Sequence, residues 1–448
     1  MGNTESFDST VEKLVAEMDY EFSRSGSPAN FPKFPDIPTA RYTSDEFYAL
    51  EKEHLWNKAW VIAGREEDVA EVGSFLTFDE LGVPLILVRG SDNKIRCFSN
   101  TCQHRGAPIV REQRGVSRFL RCQYHAWTYA NDDGRLIAVT DERDFVNICK
   151  DEKGLPQMRC ETWGGWIWVN LDPQAQPLDE FLNPIPSELN QFNSQDLRLI
   201  GSDHRVVNCN WKAVADAFLE VYHLRFIHKD GNLPELDNRG ATMGLLPNGN
   251  SRMVTPFSES SAKAFEMEDW KDFKTFDNTN GPRVIPNLHP IMHSTRYAFT
   301  IFPNTVIPLG ASGFPILLFF PIDVGNTHLR IFHYALPDEE DGAEEKWEKR
   351  ISAFAKIIDE DIENLAPIQN SMESQFYKGL PLSYQEEPHL NLHHYCSMFQ
   401  KRMTSYRNLA TCSLEHEYLY APDEQSRLQR SPLSKRASIR ADKGIHLG

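Results

Sequence analysis

Residues 102–125 read CQHRGAPIVREQRGVSRFLRCQYH, and the rest of the chain is best understood outward from them. The stretch holds Cys-x-His (Cys102, His104), then seventeen residues, then Cys-x-x-His (Cys122, His125). Each loop offers one thiolate and one imidazole, the donor set for a [2Fe-2S] cluster in which two cysteines hold one iron and two histidines the other. Structural zinc sites order their ligands differently, with Cys-x-x-Cys followed by a histidine pair. The flanks agree. Gly106 and Pro108 follow the first pair in a turn-forming order, and Ala126-Trp127-Thr128-Tyr129 after the second give an aromatic wall that limits water.

A chain of 448 residues is too long for that module alone and long enough for two domains with substantial cores. A net charge of -17 argues against nucleic acid or an anionic membrane as partner, since phosphates demand a Lys/Arg surface. Of eight cysteines, Cys97, Cys149, Cys160, Cys209, Cys396 and Cys412 remain, scattered as in a reducing cytosol. No run of apolar residues is long enough to span a membrane and no signal peptide is visible, so a cytoplasmic protein is expected. Gly2 and Ser6 satisfy the myristoylation pattern, which is too short to carry weight.

Residues 1–44 read as an arm, with a helix over 11–22 and a proline-spaced stretch behind it. Ser44 is placed to cap a helix over 45–60. Short β-rich runs at 61–63, 74–79, 83–89 and 95–99 predict a small antiparallel barrel, with 163–170 as its closing strand. A proline-bearing polar stretch from 172 to 186 marks a boundary. Beyond it come a helical segment at 211–224, a loop-rich region over 229–290, strands at 297–301, 315–322 and 328–335, and a long helix over 343–377. Strands followed by one long helix predict an α+β layer. The expected division is an arm (1–44), a cluster domain (45–172), a second domain (173–420) and a mobile tail (421–448) with six Lys/Arg against three acids.

A second group of ligand-type residues lies in NWKAVADAFLEVYHLRFIH, residues 210–228. On a helix Asp216, Glu220 and His223 share one face while His228 turns away, so the helix must end or distort if both histidines are to meet one ion. Two imidazoles and a carboxylate with open positions form the facial triad that suits ferrous iron and O2. His389, His393 and His394 fall in a segment that reads as strand and are taken as structural. A pocket role for His289 or His293 is a minor alternative.

CxHRG and CxYHAWxY resemble the ligand loops of Rieske proteins, and the spacing is that of the Rieske non-haem iron oxygenases. The NWK…E-x-YH-x(4)-H segment resembles the same family's iron-binding segment. The resemblance implies a small antiparallel β Rieske domain plus a helix-grip catalytic domain, an antiparallel sheet wrapped on a long helix. It implies Cys102, His104, Cys122 and His125 as cluster ligands, and His223 and His228 as ligands of a mononuclear Fe(II). The third ligand is implied to be Asp361, eight residues before Gln369 in DEDIENLAPIQ, with Pro367 as a departure from a smooth helix. Glu220, with Asp216 as runner-up, would pass electrons from one subunit's cluster to its neighbour's iron in a homotrimer, with or without a small beta subunit. Electrons would come from NAD(P)H through a separate reductase or ferredoxin, since no GxGxxG nucleotide site is present in the chain. The expected activity is O2-dependent hydroxylation of a hydrophobic aromatic or alicyclic substrate. Glutamate in FLEVYH resembles the oxygenases of quaternary ammonium compounds, the alternative, and an electron carrier without the second metal is another.

Overall fold

The computed structural model describes residues 7–28, 36–228, 236–264, 271, 281–337 and 342–401. Gly2, Ser6, Cys412 and the tail from residue 421 lie outside the described residues. Helix α1 (Phe7–Ser23) buries Val11, Leu14 and Met18, an apolar stripe at three- and four-residue spacing. Helix α2 (Asp45–Glu51) starts where Ser44 Oγ accepts the Phe47 N–H at 3.2 Å and widens into a π-turn over Lys52–Trp56, stopping short of residue 60.

The first sheet is built from β1 (Val61–Arg65), β2 (Ser74–Phe78), β3 (Leu85–Arg89), β4 (Ile95–Ser99) and β5 (Arg114–Val116). A small satellite sheet, β6 (Leu120–Arg121), β7 (Thr128–Tyr129) and β8 (Leu136–Ala138), carries the second cluster loop. β9 (Gln157–Trp163) and β10 (Trp166–Asn170) complete the first sheet in the order β1-β10-β9-β4-β3-β2-β5. The single closing strand expected over 163–170 is therefore the second arm of a hairpin. Gly164 and Gly165, at φ +64° and +83°, make the tight turn that reverses the chain there.

The second sheet holds β11 (Arg198–Val207), β12 (Thr242–Leu245), β13 (Ser251–Pro256), β14 (Thr295–Ile301), β15 (Thr305–Leu309), β16 (Gly313–Asp323) and β17 (Asn326–Ala335), all antiparallel, in the order β11-β17-β16-β15-β14-β13-β12. β12 and β13 correct the expectation of a loop-rich 229–290. β11 is rich in polar residues, and β15 is five residues long, so neither announces itself by periodicity.

Strand alternation gives this sheet two faces. Tyr297, Phe299, Ile307, Phe314, Ile316 and Tyr334 pack with the core that also holds Trp60, Trp166 and α1. Val207, Val306, Leu317, Phe319, Leu329 and Ile331 pack with Ile358 and Leu365 of the other core. Those last two belong to the long helix that crosses this face. Before it come two short helices, α3 (Trp211–Asp216) and α4 (Leu224–Ile227). The long helix itself is α5 (Ala343–Met372), thirty residues that run on through Pro367. α6 (Glu387–Lys401) follows and carries His389, His393 and His394, correcting the strand expected there. Pro388 in its first turn is a helix-start signal that outweighs the apparent alternation. Among the described residues no helix is long and apolar enough to cross a membrane.

Candidate metal centres

The two cluster loops are built alike. In each the cysteine N–H donates to the carbonyl five residues on, Cys102 to Ala107 at 2.8 Å and Cys122 to Trp127 at 2.9 Å. In each the residue four on donates back to the cysteine carbonyl, Gly106 at 2.9 Å and Ala126 at 3.0 Å. Both returning residues have positive φ, +74° and +59°. Glycine takes that conformation without strain; alanine adopts it here at a conformational cost.

These turns bury both thiols and bring the His104 and His125 rings to 4.6 Å between centroids. Trp127 stacks on His104 at 4.8 Å and 11°, and Phe145 closes edge-on against it. Tyr129 hydroxyl lies 3.3 Å from Cys102 Sγ and accepts the Gln103 N–H at 3.0 Å, so the aromatic wall also supplies a polar hand. Buried His104 Nδ1 has no protein partner among the described residues, as a nitrogen reserved for a metal would not. The donor set fits a [2Fe-2S] cluster.

The helix expected over 211–224 ends at Asp216. Asn210 opens it, accepting the Lys212 N–H at 3.1 Å, and is itself held by Gln369 Oε1 on α5 at 3.0 Å from its own N–H. Lys212 and Trp211 both reach the buried Glu51 carboxylate, Lys212 at 2.9 Å and Trp211 at 3.1 Å. Breaking one partner of such a buried pair costs about 3–5 kcal/mol, so this end is firmly seated. Beyond Asp216 the Glu220 carboxylate takes the backbone N–H groups of Tyr222 and His223, the latter at 3.2 Å. A side chain that occupies those donors competes with a helical continuation, which is why the chain turns here instead. Short α4 then carries His228 back beside His223, with ring centroids 5.3 Å apart.

Consequently Asp216, Glu220 and His223 do not share a helix face. Asp216 Oδ2 accepts the Tyr42 hydroxyl at 2.7 Å, and its carbonyl lies 2.9 Å from His389 Nε2. His393 Nε2 completes this separate buried network 2.8 Å from Tyr42 Oη. Glu220 instead sits behind His223, its Oε1 against Nδ1.

Asp361 comes from α5. Its Oδ1 lies 3.2 Å from His228 Nε2 and 3.5 Å from His223 Nε2. Ligand atoms of His223, His228 and Asp361 all fall within 4.8 Å of one another, and this trio is the arrangement among the described residues that closes on a single point. Buried Asp361 Oδ1 faces these two imidazole nitrogens without a well-formed hydrogen bond, so a cation between the three groups would satisfy it. Asp359 turns away to Arg205.

Sequence reasoning missed Glu360, whose Oε2 lies 2.7 Å from His228 Nδ1. Each histidine thus has a carboxylate on Nδ1, which directs both Nε2 atoms to the same spot. The signal was present in the adjacency of two acids, but choosing between faces needed the position of His228. Burial acts to lower the His228 pKa, yet Asp361 and Glu360 outweigh it and hold it above its ordinary value.

Two cavities flank this architecture. One of ≈ 200 Å³ lies between the two sheets, with His204, His328 and Arg330 on its wall. The other, ≈ 160 Å³, lies between the second sheet and α5 and includes Ile357, one helical turn before Asp361. His289 and His293 line neither.

Comparison with known families matches residues 59–150 to the Rieske [2Fe-2S] domain and residues 194–405 to the catalytic domain of ring-hydroxylating alpha subunits. The chain is 24% identical over 364 residues to the oxygenase subunit of carnitine monooxygenase from Acinetobacter pittii, covering 79% of this chain and 90% of that one. It is 27% identical over 314 residues to the alpha subunit of 2-aminobenzenesulfonate 2,3-dioxygenase from an Alcaligenes species, covering 68% and 76%. Among solved structures, a quaternary ammonium Rieske monooxygenase in complex with L-carnitine superposes with a TM-score of 0.65 at 19% identity, covering 83% of this chain and all of that one, which shows a shared fold. With both halves matched in their expected order, the chain belongs to the Rieske non-haem iron oxygenases, as an oxygenase alpha subunit with a [2Fe-2S] cluster and a mononuclear iron.

Proposed function

We propose that this chain oxygenates an organic substrate held between the second sheet and α5, with His223, His228 and Asp361 as the Fe(II) ligands and Cys102, His104, Cys122 and His125 as the cluster ligands. The observation that carries this reading is the convergence of three ligand atoms, drawn from two distant segments, within 4.8 Å on the side of α5 that also borders a cavity. Fe(II) in such a triad supplies O2 activation beside the substrate, using electrons delivered singly by the cluster.

The protein's own part is orientation and exclusion. Glu220 and Glu360 hold the Nδ1 sides of the two histidines, and Gln369 and Glu51 hold the segment that carries them. Trp127 and Phe145 keep water from the His104 side of the cluster. Electrons enter from NAD(P)H through a separate reductase or ferredoxin. We place the passage between subunits of a homotrimer at Glu220, which touches His223 behind its metal-facing nitrogen. Exposed Tyr222 and Phe226 beside it, and exposed Tyr124 beside His125, are the surfaces such a contact would cover. Asp216 is the weaker candidate because Tyr42 already engages its carboxylate. We take the sheet with its long helix as a helix-grip domain, and the four segments divided at 44, 172 and 420 as the domain plan.

Apolar residues Leu309, Phe314, Trp347, Phe354 and Ile357 on the cavity wall favour a substrate with a hydrophobic ring or chain. A quaternary ammonium substrate is the second reading, favoured by the likeness to carnitine monooxygenase. The test is anaerobic nitric oxide binding to reduced protein. A high-spin iron-nitrosyl resonance that changes on adding a substrate supports the oxygenase. Its absence in protein with an intact Rieske signal leaves an electron carrier.

A further inference from the structure

Trp347, Arg350, Phe354, Ile357 and Asp361 recur along α5 at intervals of three, four, three and four residues. At about 100° and 1.5 Å per residue, Arg350 and Asp361 lie on nearly the same azimuth and about 16 Å apart along the axis. The first four of these residues line the ≈ 160 Å³ cavity, so it climbs the side of the helix that ends at Asp361. From the sheet, strand alternation brings Arg296 of β14, Pro308 of β15, Pro315 of β16 and His333 of β17 to its opposite wall.

Two guanidiniums therefore share one cavity, and no carboxylate lines it among the described residues. Among the described residues neither Arg296 nor Arg350 has a hydrogen bond or ion pair; each faces an aromatic ring, Arg296 that of Phe257 at 5.4 Å and Arg350 that of Trp347 at 5.3 Å. Other inward arginines of this protein are held. Arg252 has Glu188 at 2.6 Å, and Arg65 donates to the carbonyls of Gly164, Ser194 and Leu197. Burial, with Arg350 adding to it, lowers the Arg296 pKa to about 10, and burial lowers that of Arg350. His333, pushed down to about 4 mainly by burial, is neutral at pH 7 and adds no third positive charge. Both arginine side chains are half-buried, and two like charges held in one cavity with reduced access to water destabilise a fold unless something anionic joins them.

We propose that this cavity is the distal part of the substrate site and takes an anionic group, a carboxylate or sulfonate gripped by Arg296 and Arg350. The apolar body attached to it packs along Phe354 and Ile357 toward Asp361. The oxidised carbon then lies several bonds from the anion, and a bare quaternary ammonium ion is repelled. The word substrate rests on the oxygenase reading above; the anion grip does not.

The test is calorimetric binding to the full-length holoenzyme at pH 7 with matched probes: benzoate, 4-phenylbutyrate and decanoate, their corresponding alcohols, and 4-phenylbutyltrimethylammonium. At least one carboxylate should bind ten-fold or more tightly than its alcohol, with no binding of the cation. Arg350→Gln and Arg296→Gln should each abolish that preference, and ligand-free Arg350→Gln should melt no lower than wild type because a repulsion has been removed. The wild-type comparison stands by itself if a variant fails to fold. No carboxylate binding more tightly than its alcohol overturns the proposal, as does a preference that survives both substitutions. Repeating the titration after chelation of the mononuclear iron separates the two readings. A preference that persists in protein shown never to hold that iron removes the oxygenase and keeps the anion site; iron present with no preference removes only the anion site.

Discussion

The two candidate metal centres solve one problem by opposite means. The candidate cluster ligands come from 24 consecutive residues, on two loops that close by the same pair of backbone hydrogen bonds around Cys102 and Cys122. The His223, His228 and Asp361 set is assembled across the fold. It needs a helix stopped at Asp216, a turn enforced by Glu220, and α5 anchored by Gln369 to the start of the same segment. A local site depends on its ligands to hold its loops, whereas a dispersed one depends on the scaffold to hold its ligands.

That contrast is open to being broken by substitution. Cys122→Ser should have the largest effect, abolishing the visible absorption and all turnover and lowering the melting temperature by several degrees, because Cys102 and Cys122 sit in the buried core of their loops. An unchanged melting temperature would show that the loops are preformed and that the contrast is false.

Carboxylates behind the histidines sharpen it. Glu360→Ala removes the acceptor on His228 Nδ1, and retention of the mononuclear iron under chelator challenge should fall by about 10–100-fold. Glu220→Gln leaves a hydrogen-bonding group against His223 and should keep both metals, while rapid-quench single turnovers show slower electron arrival. If Glu220→Gln loses iron instead, its role is support and not passage.

The smallest effect is expected from pH. Burial is the largest cause holding His333 and His393 to about 4, below the unfolded value of about 6.5. Above pH 6.5 neither contributes. As pH falls from about 6.5 to 4 the unfolded chain binds protons that the folded chain does not, so stability declines by at most about 3 kcal/mol per histidine and levels off below 4. Denaturant midpoints at pH 7 and 4.5 should differ less in His393→Gln than in wild type, a comparison that cancels the cluster's own acid sensitivity. Equal pH dependence in the two would place His393 outside the acid-sensitive set.

Legibility in the sequence followed the same divide. Ligand spacing exposed the cluster because turn and donors lie side by side, and 61–63, 74–79 and 95–99 stood out as strands for the same local reason. The helix break before His223 depends on Glu220 capturing two backbone donors, a choice no periodicity records. Glu360 was invisible because its partner His228 lies on another element. The arginine pair was equally so, since Arg296 and Arg350 meet only once β14 and α5 pack. α6 was misread because Leu390, Leu392 and the histidines alternate by accident of composition.

Iron content per chain tests the central claim most directly, measured alongside the Rieske resonance of the reduced protein. Wild type should hold three irons, two in the cluster and one in the triad, and Asp361→Ala should hold two with the resonance unchanged. Three irons retained in Asp361→Ala, or only two in wild type with a full Rieske signal, would contradict the account.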